Sequence, residues 1–304
     1  MGLESDLLID RRRLKRRLSF WRALAVLLAA AGIVLLVGQA EQAPLLGRGH
    51  VARLTVQGFI SDDHKVIEAI DKLAKDSATR ALIVAIDSPG GSAGGGEALY
   101  AALSRLRAEK PVVAVMRGTA ASAGYMAALG AERIFAREST VTGSIGVLLQ
   151  SFDASQLMAQ LGVRAETIAS GPLKDQPSPF RPLSPEGREA LSRVVTDMYD
   201  QFVAKVVASR KLPEAEVRAV ADGRVLTGRQ ALAAGLVDAI GGEREARAWL
   251  AAEKQVPEDL PVRDIATRSV PERLLGSVFG GVLKSLVSEW LGVDVPRLLW
   301  QLPG

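Results

Sequence analysis

The sequence predicts an α/β fold: a mainly parallel sheet with crossover helices, preceded by one N-terminal transmembrane helix. Three observations predict it. Continuous apolar runs at residues 81–86 (ALIVAI) and 111–116 (PVVAVM) read as strands of a sheet covered on both faces. Segments of helical periodicity alternate with these runs, the pattern of parallel strands joined by crossovers. An uncharged stretch at residues 23–40 follows a basic block of Arg11, Arg12, Arg13, Lys15, Arg16 and Arg17. Eighteen helical residues span roughly 27 Å, about the thickness of a bilayer core.

The N-terminal elements come first. The basic block marks residues 1–19 as a cytoplasmic segment, and Phe20 and Trp21 suit a membrane interface. Residues 20–40 then form an anchor of the bacterial inner (cytoplasmic) membrane, with the bulk of the chain on the extracytoplasmic side. The alternative is a cleaved signal peptide, since Gly38-Gln39-Ala40 has the small-x-small form of a cleavage site. Residues 41–51 read as a linker. Residues 53–60 (RLTVQGFI) alternate as a first strand. Asp62 and Asp63 can cap a helix over 65–75, with Val66, Ile67, Ile70 and Leu73 on one face. A helix is expected over 97–109, and further strand over 133–136 and 141–149. A long helix over 185–210 carries an apolar stripe of Leu191, Val194, Val195, Met198, Phe202 and Val206, read as core. Residues 243–254 read as a surface helix and 256–264 as a linker. Residues 272–290 are amphipathic but too polar to span, so they lie on a membrane, pack on a neighbouring subunit or cover the core. The domain boundaries follow as 52–255 for the folded domain and 256–304 for a C-terminal amphipathic extension.

Composition excludes several chemistries. The 304 residues contain no cysteine, which removes disulfides and thiolate metal sites. Two histidines, His50 and His64, leave no multi-histidine metal site, and no cofactor is expected. The net charge of +4 owes its sign to the basic block, so no nucleic-acid surface is expected.

Two turns carry the chemistry. Ser122 lies in Ala120-Ala-Ser-Ala-Gly124, between the 111–116 strand and an apolar helix. This approximates the nucleophile elbow G-x-S-x-G, with alanine in the first glycine place. A helix N-cap serine would look the same. The second turn, residues 87–96 (DSPGGSAGGG), follows the 81–86 strand. Both fall at the carboxyl ends of strands, where open α/β sheets gather ligands. Gly90 and Gly91 can present unobstructed N–H groups, and Ser122 can add its own, so the three could form an oxyanion hole. The glycines match neither G-x-x-x-x-G-K-[ST] nor G-x-G-x-x-G with its acidic partner. A serine hydroxyl needs a base. His50 and His64 are both expected far from Ser122. Lys174 is the only lysine between Lys110 and Lys205, and unlike arginine a desolvated lysine can accept a proton. A solvated loop lysine is the alternative.

DSPGG, ASAGY, TGSIGV (142–147), SGPLKDQPSPFRPLS (170–184) and DGRVLTGRQALAAGLVD (222–238) together resemble signal peptide peptidase A, over roughly residues 52–248. That serine-peptidase family shares its fold with Clp protease and crotonase. The resemblance implies a Ser/Lys dyad with Ser122 as nucleophile and Lys174 as general base. It implies oxyanion donors at Gly91, Ser122 and Gly90, and Ser144 orienting the lysine amine. It implies peptide substrates, signal-peptide remnants in or near the membrane, and a homo-oligomer. The sequence departs from the family at Ala123, Met126 and Gly94-Gly95-Gly96. Other classes are a non-catalytic peptide-binding membrane scaffold and a crotonase-like acyl-CoA enzyme, for which Glu97 would be the available carboxylate.

Overall fold

The structure, a computed structural model, describes residues 49–265 together with Trp21, Arg22 and Ala25. The basic segment, the rest of the expected anchor, the linker up to residue 48 and the extension beyond residue 265 lie outside the described residues. Among the described residues no helix is long and apolar enough to cross a membrane.

The first half of the domain alternates as expected. Strand β1 (His50–Ile60) leads to helix α1 (His64–Lys75), whose N-cap Asp63 accepts the Lys65 N–H at 2.9 Å. Strand β2 (Thr79–Gly91) leads to α2 (Ala93–Arg107), and β3 (Val112–Ala121) leads to the short α3 (Ala123–Ala128). Strands β4 (Arg133–Ala136) and β5 (Val141–Gly143) follow, then α4 (Ser155–Gln160) and the long α5 (Pro185–Arg210). Helix α6 (Glu214–Val220), strand β6 (Val225–Thr227), helix α7 (Gly228–Ala233), strand β7 (Ala239–Ile240), helix α8 (Glu243–Lys254) and strand β8 (Val262–Asp264) complete the chain.

The strands form one sheet in the order β6-β5-β3-β2-β1-β8, with β4 pairing β3 and β7. Every pairing is parallel except β5 with β6. The pleat divides β2 between two cores. Leu82, Val84 and Ile86 face one side with Ile70, Leu103, Tyr125 and Phe202, while Ala81 and Ile83 face the other with Ala246 and Leu250. Thus α8 buries one stripe against the second face of the sheet. Within the larger core, burial pushes the Tyr125 phenol up and keeps it neutral, and its hydroxyl donates to the Leu236 carbonyl at 2.9 Å. Arg210, nearly buried, forms a bidentate pair with Asp238 at 2.9 and 2.8 Å.

Four elements differ from expectation. Helix α2 begins at Ala93, because the Ser92 hydroxyl caps it by accepting the Gly95 N–H at 3.1 Å. The glycine run is therefore the first helical turn. The 141–149 strand ends at Gly143, where φ of +77° at Gly143 and +49° at Ser144 breaks the extended path. The expected linker at 256–264 contains β8, an edge strand parallel to β1. The stripe of α5 is core only in part: Phe202 and Val206 are buried, whereas Val194 is 48% and Met198 40% exposed.

Candidate active site

Parallel pairing brings the carboxyl ends of β1, β2, β3 and β5 together. Ile60 pairs with Gly91, Ser88 with Ala120, and Ala121 with Gly143. Ser122 is the single residue between β3 and α3. Its backbone lies at φ 51° and ψ −119°, a region that L-residues rarely occupy. Holding a serine there costs about 1–3 kcal/mol. It is not an ordinary capping serine, because its side chain accepts no capping hydrogen bond. Small neighbours permit the turn: a Cβ on Gly124 would stand 3.1 Å from the Ser88 carbonyl oxygen, and one on Gly96 would stand 2.9 Å from Ala123 Cβ.

The glycine turn lies against Ser122. A Cβ on Gly90 would come within 3.1 Å of Ser122 Cβ and 3.5 Å of its Oγ, and Gly90 has φ of +134°. Only glycine satisfies both demands. The turn is held from beneath by Ser88, which is fully buried. Its hydroxyl donates to the Gly58 carbonyl at 2.6 Å and accepts the Gly90 N–H at 3.1 Å. Asp87 Oδ1 accepts the Thr119 N–H at 3.0 Å, tying the β2 turn to β3.

These bonds correct the expected oxyanion donors. The Gly90 N–H is occupied by Ser88 Oγ, and the Ser122 N–H donates to the Gly143 carbonyl at 2.9 Å. Gly91 differs. Ser92 N–H donates to the Ile60 carbonyl at 2.9 Å, so the preceding N–H, that of Gly91, points away from β1 toward the Ser122 side of the strand. A second donor at this edge is the Ala123 N–H, at the first position of α3, where helical N–H groups lack intrahelical acceptors. Sequence reasoning missed it, together with Ser88 and the Gly143 carbonyl.

The structure distributes the remaining expected residues unequally. Ser144 directly follows the carbonyl that accepts from Ser122, at positive φ, with its N–H on the Arg224 carbonyl at 2.8 Å. Lys174 lies in a turn, exposed, with its own N–H on the Gly171 carbonyl at 3.2 Å. The Lys174 amine makes no hydrogen bond or ion pair among the described residues. The desolvated lysine expected from the sequence is therefore not formed among the described residues. The surrounding segment explains why: Leu148, Phe152, Leu161, Ile168 and Phe180 are all more than half exposed, so none of the described residues covers it. His50 sits at the opposite end of β1 from Ile60, roughly 30 Å away along the strand. It contacts Thr79 Oγ1 at 3.2 Å, and burial, then the charge of Arg263, lowers its pKa. His64 is placed otherwise than expected, because it opens α1 just after the carboxyl end of β1. Glu97 is ion-paired with Lys205 at 3.0 Å.

The profile of peptidase family S49 matches residues 104–257. The chain belongs to peptidase family S49. The Clp protease profile matches residues 54–143, and the fold is the Clp protease-like α/β fold with a mixed, mostly parallel sheet. Among relatives of this S49 chain is slr0021 of Synechocystis sp., named as a candidate protease. It is 38% identical over 235 residues, covering 77% of this chain and 84% of that protein. The chloroplastic serine protease SPPA of Arabidopsis thaliana is 32% identical over 262 residues, covering 84% of this chain and 38% of that protein. Protease 4 of Haemophilus influenzae is 29% identical over 263 residues, covering 81% and 42%. The chain thus spans less than half the length of the two latter relatives. Membership of S49 makes the chain a protease of this family by descent.

Gly90 provides a test of the site geometry. Gly90→Ala should lower peptide cleavage about 100-fold, because its Cβ would push Ser122 from its position. It should also cost about 1–3 kcal/mol of stability, for a side chain at positive φ. Turnover and thermal melting of the two proteins check both.

Proposed function

We propose that the chain is a membrane-anchored serine endopeptidase in which Ser122 attacks the peptide carbonyl and Lys174 is the general base. The observation that carries this reading is the strained Ser122 backbone pressed against Gly90 at the carboxyl edge of the sheet. Strained polar residues held in place by their neighbours cluster at active sites. Ser122 Oγ forms an ester with the acyl part of the substrate, and the amine moves the hydroxyl proton to the leaving nitrogen. Water, deprotonated by the same amine, then hydrolyses the ester. The Gly91 and Ala123 N–H groups are our candidates to hold the tetrahedral oxyanion, the latter because the residue after a nucleophile commonly serves. Ser144 orients the lysine amine.

A lysine amine accepts a proton only when burial disfavours its ammonium form. We therefore include a homo-oligomer, in which the apolar segment around Lys174 packs on a second copy and excludes water from it. Exposed Leu148, Phe152, Leu161 and Ile168 support this, since apolar groups of this number rarely stay in water. The anchor would hold the site near remnant signal peptides left in the membrane, raising their effective concentration. Family membership favours this reading over a peptide-binding scaffold, and the Glu97–Lys205 ion pair disfavours acyl-CoA chemistry at Glu97. The test is a fluorophosphonate probe followed by peptide mapping. An adduct on Ser122 is expected; an unlabelled Ser122 in protein that still cleaves peptides would refute the assignment.

A further inference from the structure

Beside Ser122 lies a cavity of about 320 Å³ between the start of α2, helix α3 and the middle of α5. It shares its wall with the site. Met126, which lines it, donates its N–H to the Ser122 carbonyl at 2.9 Å, and Ala93 lies two residues beyond Gly91. Met126, Val194, Met198 and Phe202 make its apolar lining. Val194 and Met198, exposed on α5, thus line this cavity beside the core residue Phe202.

The charged residues at the cavity are not balanced. Lys205 is bound to Glu97 at 3.0 Å and stands over the Tyr100 ring at 5.9 Å. Asp197 accepts only an amide hydrogen bond from Gln201 Nε2 at 2.8 Å, and among the described residues it has no cationic partner. A largely apolar cavity thus carries a carboxylate without a cationic partner among the described residues. Its mouth is open at Gly94, where a Cβ would meet nothing within 4 Å.

We propose that this cavity is a specificity pocket that takes a lysine or arginine side chain of the substrate, packing its methylene stem against Met126 and Met198 and placing its cation beside Asp197. Long cationic side chains are suited to such a slot because they bury the stem while the head stays partly wet. The proposal rests on the peptidase reading for its use, but its binding preference can be measured without turnover. Two peptides identical except for lysine or norleucine at one position keep the same stem and differ in the charge. Binding of both to the full-length Ser122→Ala protein is measured by fluorescence anisotropy. The lysine peptide should bind about fivefold tighter, the upper end for a partly exposed ion pair. Asp197→Asn in that background should bring the ratio to about one. Gly94→Leu should weaken both peptides alike by filling the mouth. Equal binding of the two peptides, or a lysine preference that survives Asp197→Asn, would overturn the pocket. A lysine preference in Ser122→Ala, together with a parent protein that cleaves no peptide, would count against the peptidase reading alone and still support the pocket.

Discussion

Ser122→Ala should reduce peptide cleavage by at least about 10⁴-fold, the loss seen when a serine nucleophile is removed from a preorganised site. Folding should survive it, because the Ser122 side chain caps nothing and the turn is held by other groups: the Ser88 hydroxyl on Gly58 and Gly90, and the Gly143 carbonyl on the Ser122 N–H. A companion variant separates chemistry from strain. Ser122→Gly should be equally inactive yet more stable than the parent by about 1 kcal/mol, because glycine relaxes at φ 51° and ψ −119°. Kinetics with a quenched peptide and denaturant melts measure the two effects. A stable, active Ser122→Ala protein would place the nucleophile elsewhere.

Lys174→Ala should lower cleavage by about 10³-fold, within the range a positioned general base contributes. Lys174→Arg should fail as well, since guanidinium cannot release its proton near neutral pH. The informative control is His64→Ala. His64 opens α1 at the same edge of the sheet as Ser122, and it is the one histidine there. Retained activity in His64→Ala together with its loss in Lys174→Ala assigns the base; the reverse pattern would move it to the imidazole. Steady-state rates of the three variants decide.

The parts of the fold readable in the sequence are those set by local periodicity. Runs such as residues 81–86 and 111–116 had to be strands covered on both faces, and the two cores on either side of β2 show that covering. The adjacency of Gly90 and Ser122 follows from parallel pairing of neighbouring strands, whose carboxyl ends must coincide. What could not be read is what depends on individual hydrogen bonds. Every residue carries an N–H, so no pattern distinguishes the Ala123 donor from the Ser122 donor already taken by Gly143. The start of α2 was misplaced because glycines weaken a helix, and the Ser92 cap outweighed that penalty. Strand β8 is only three residues long and gains its identity from β1, with no signal of its own. What covers Lys174 was not readable either. Apolar residues from Leu148 to Phe180 signal burial without saying in which molecule the covering surface resides.

Removal of the Ser122 proton by the Lys174 amine is tested most directly by the rate of fluorophosphonate labelling at Ser122, in the full-length protein and in Lys174→Ala. Labelling of the parent should be about 10³-fold faster than labelling of the variant. The same rate in both proteins would contradict the dyad.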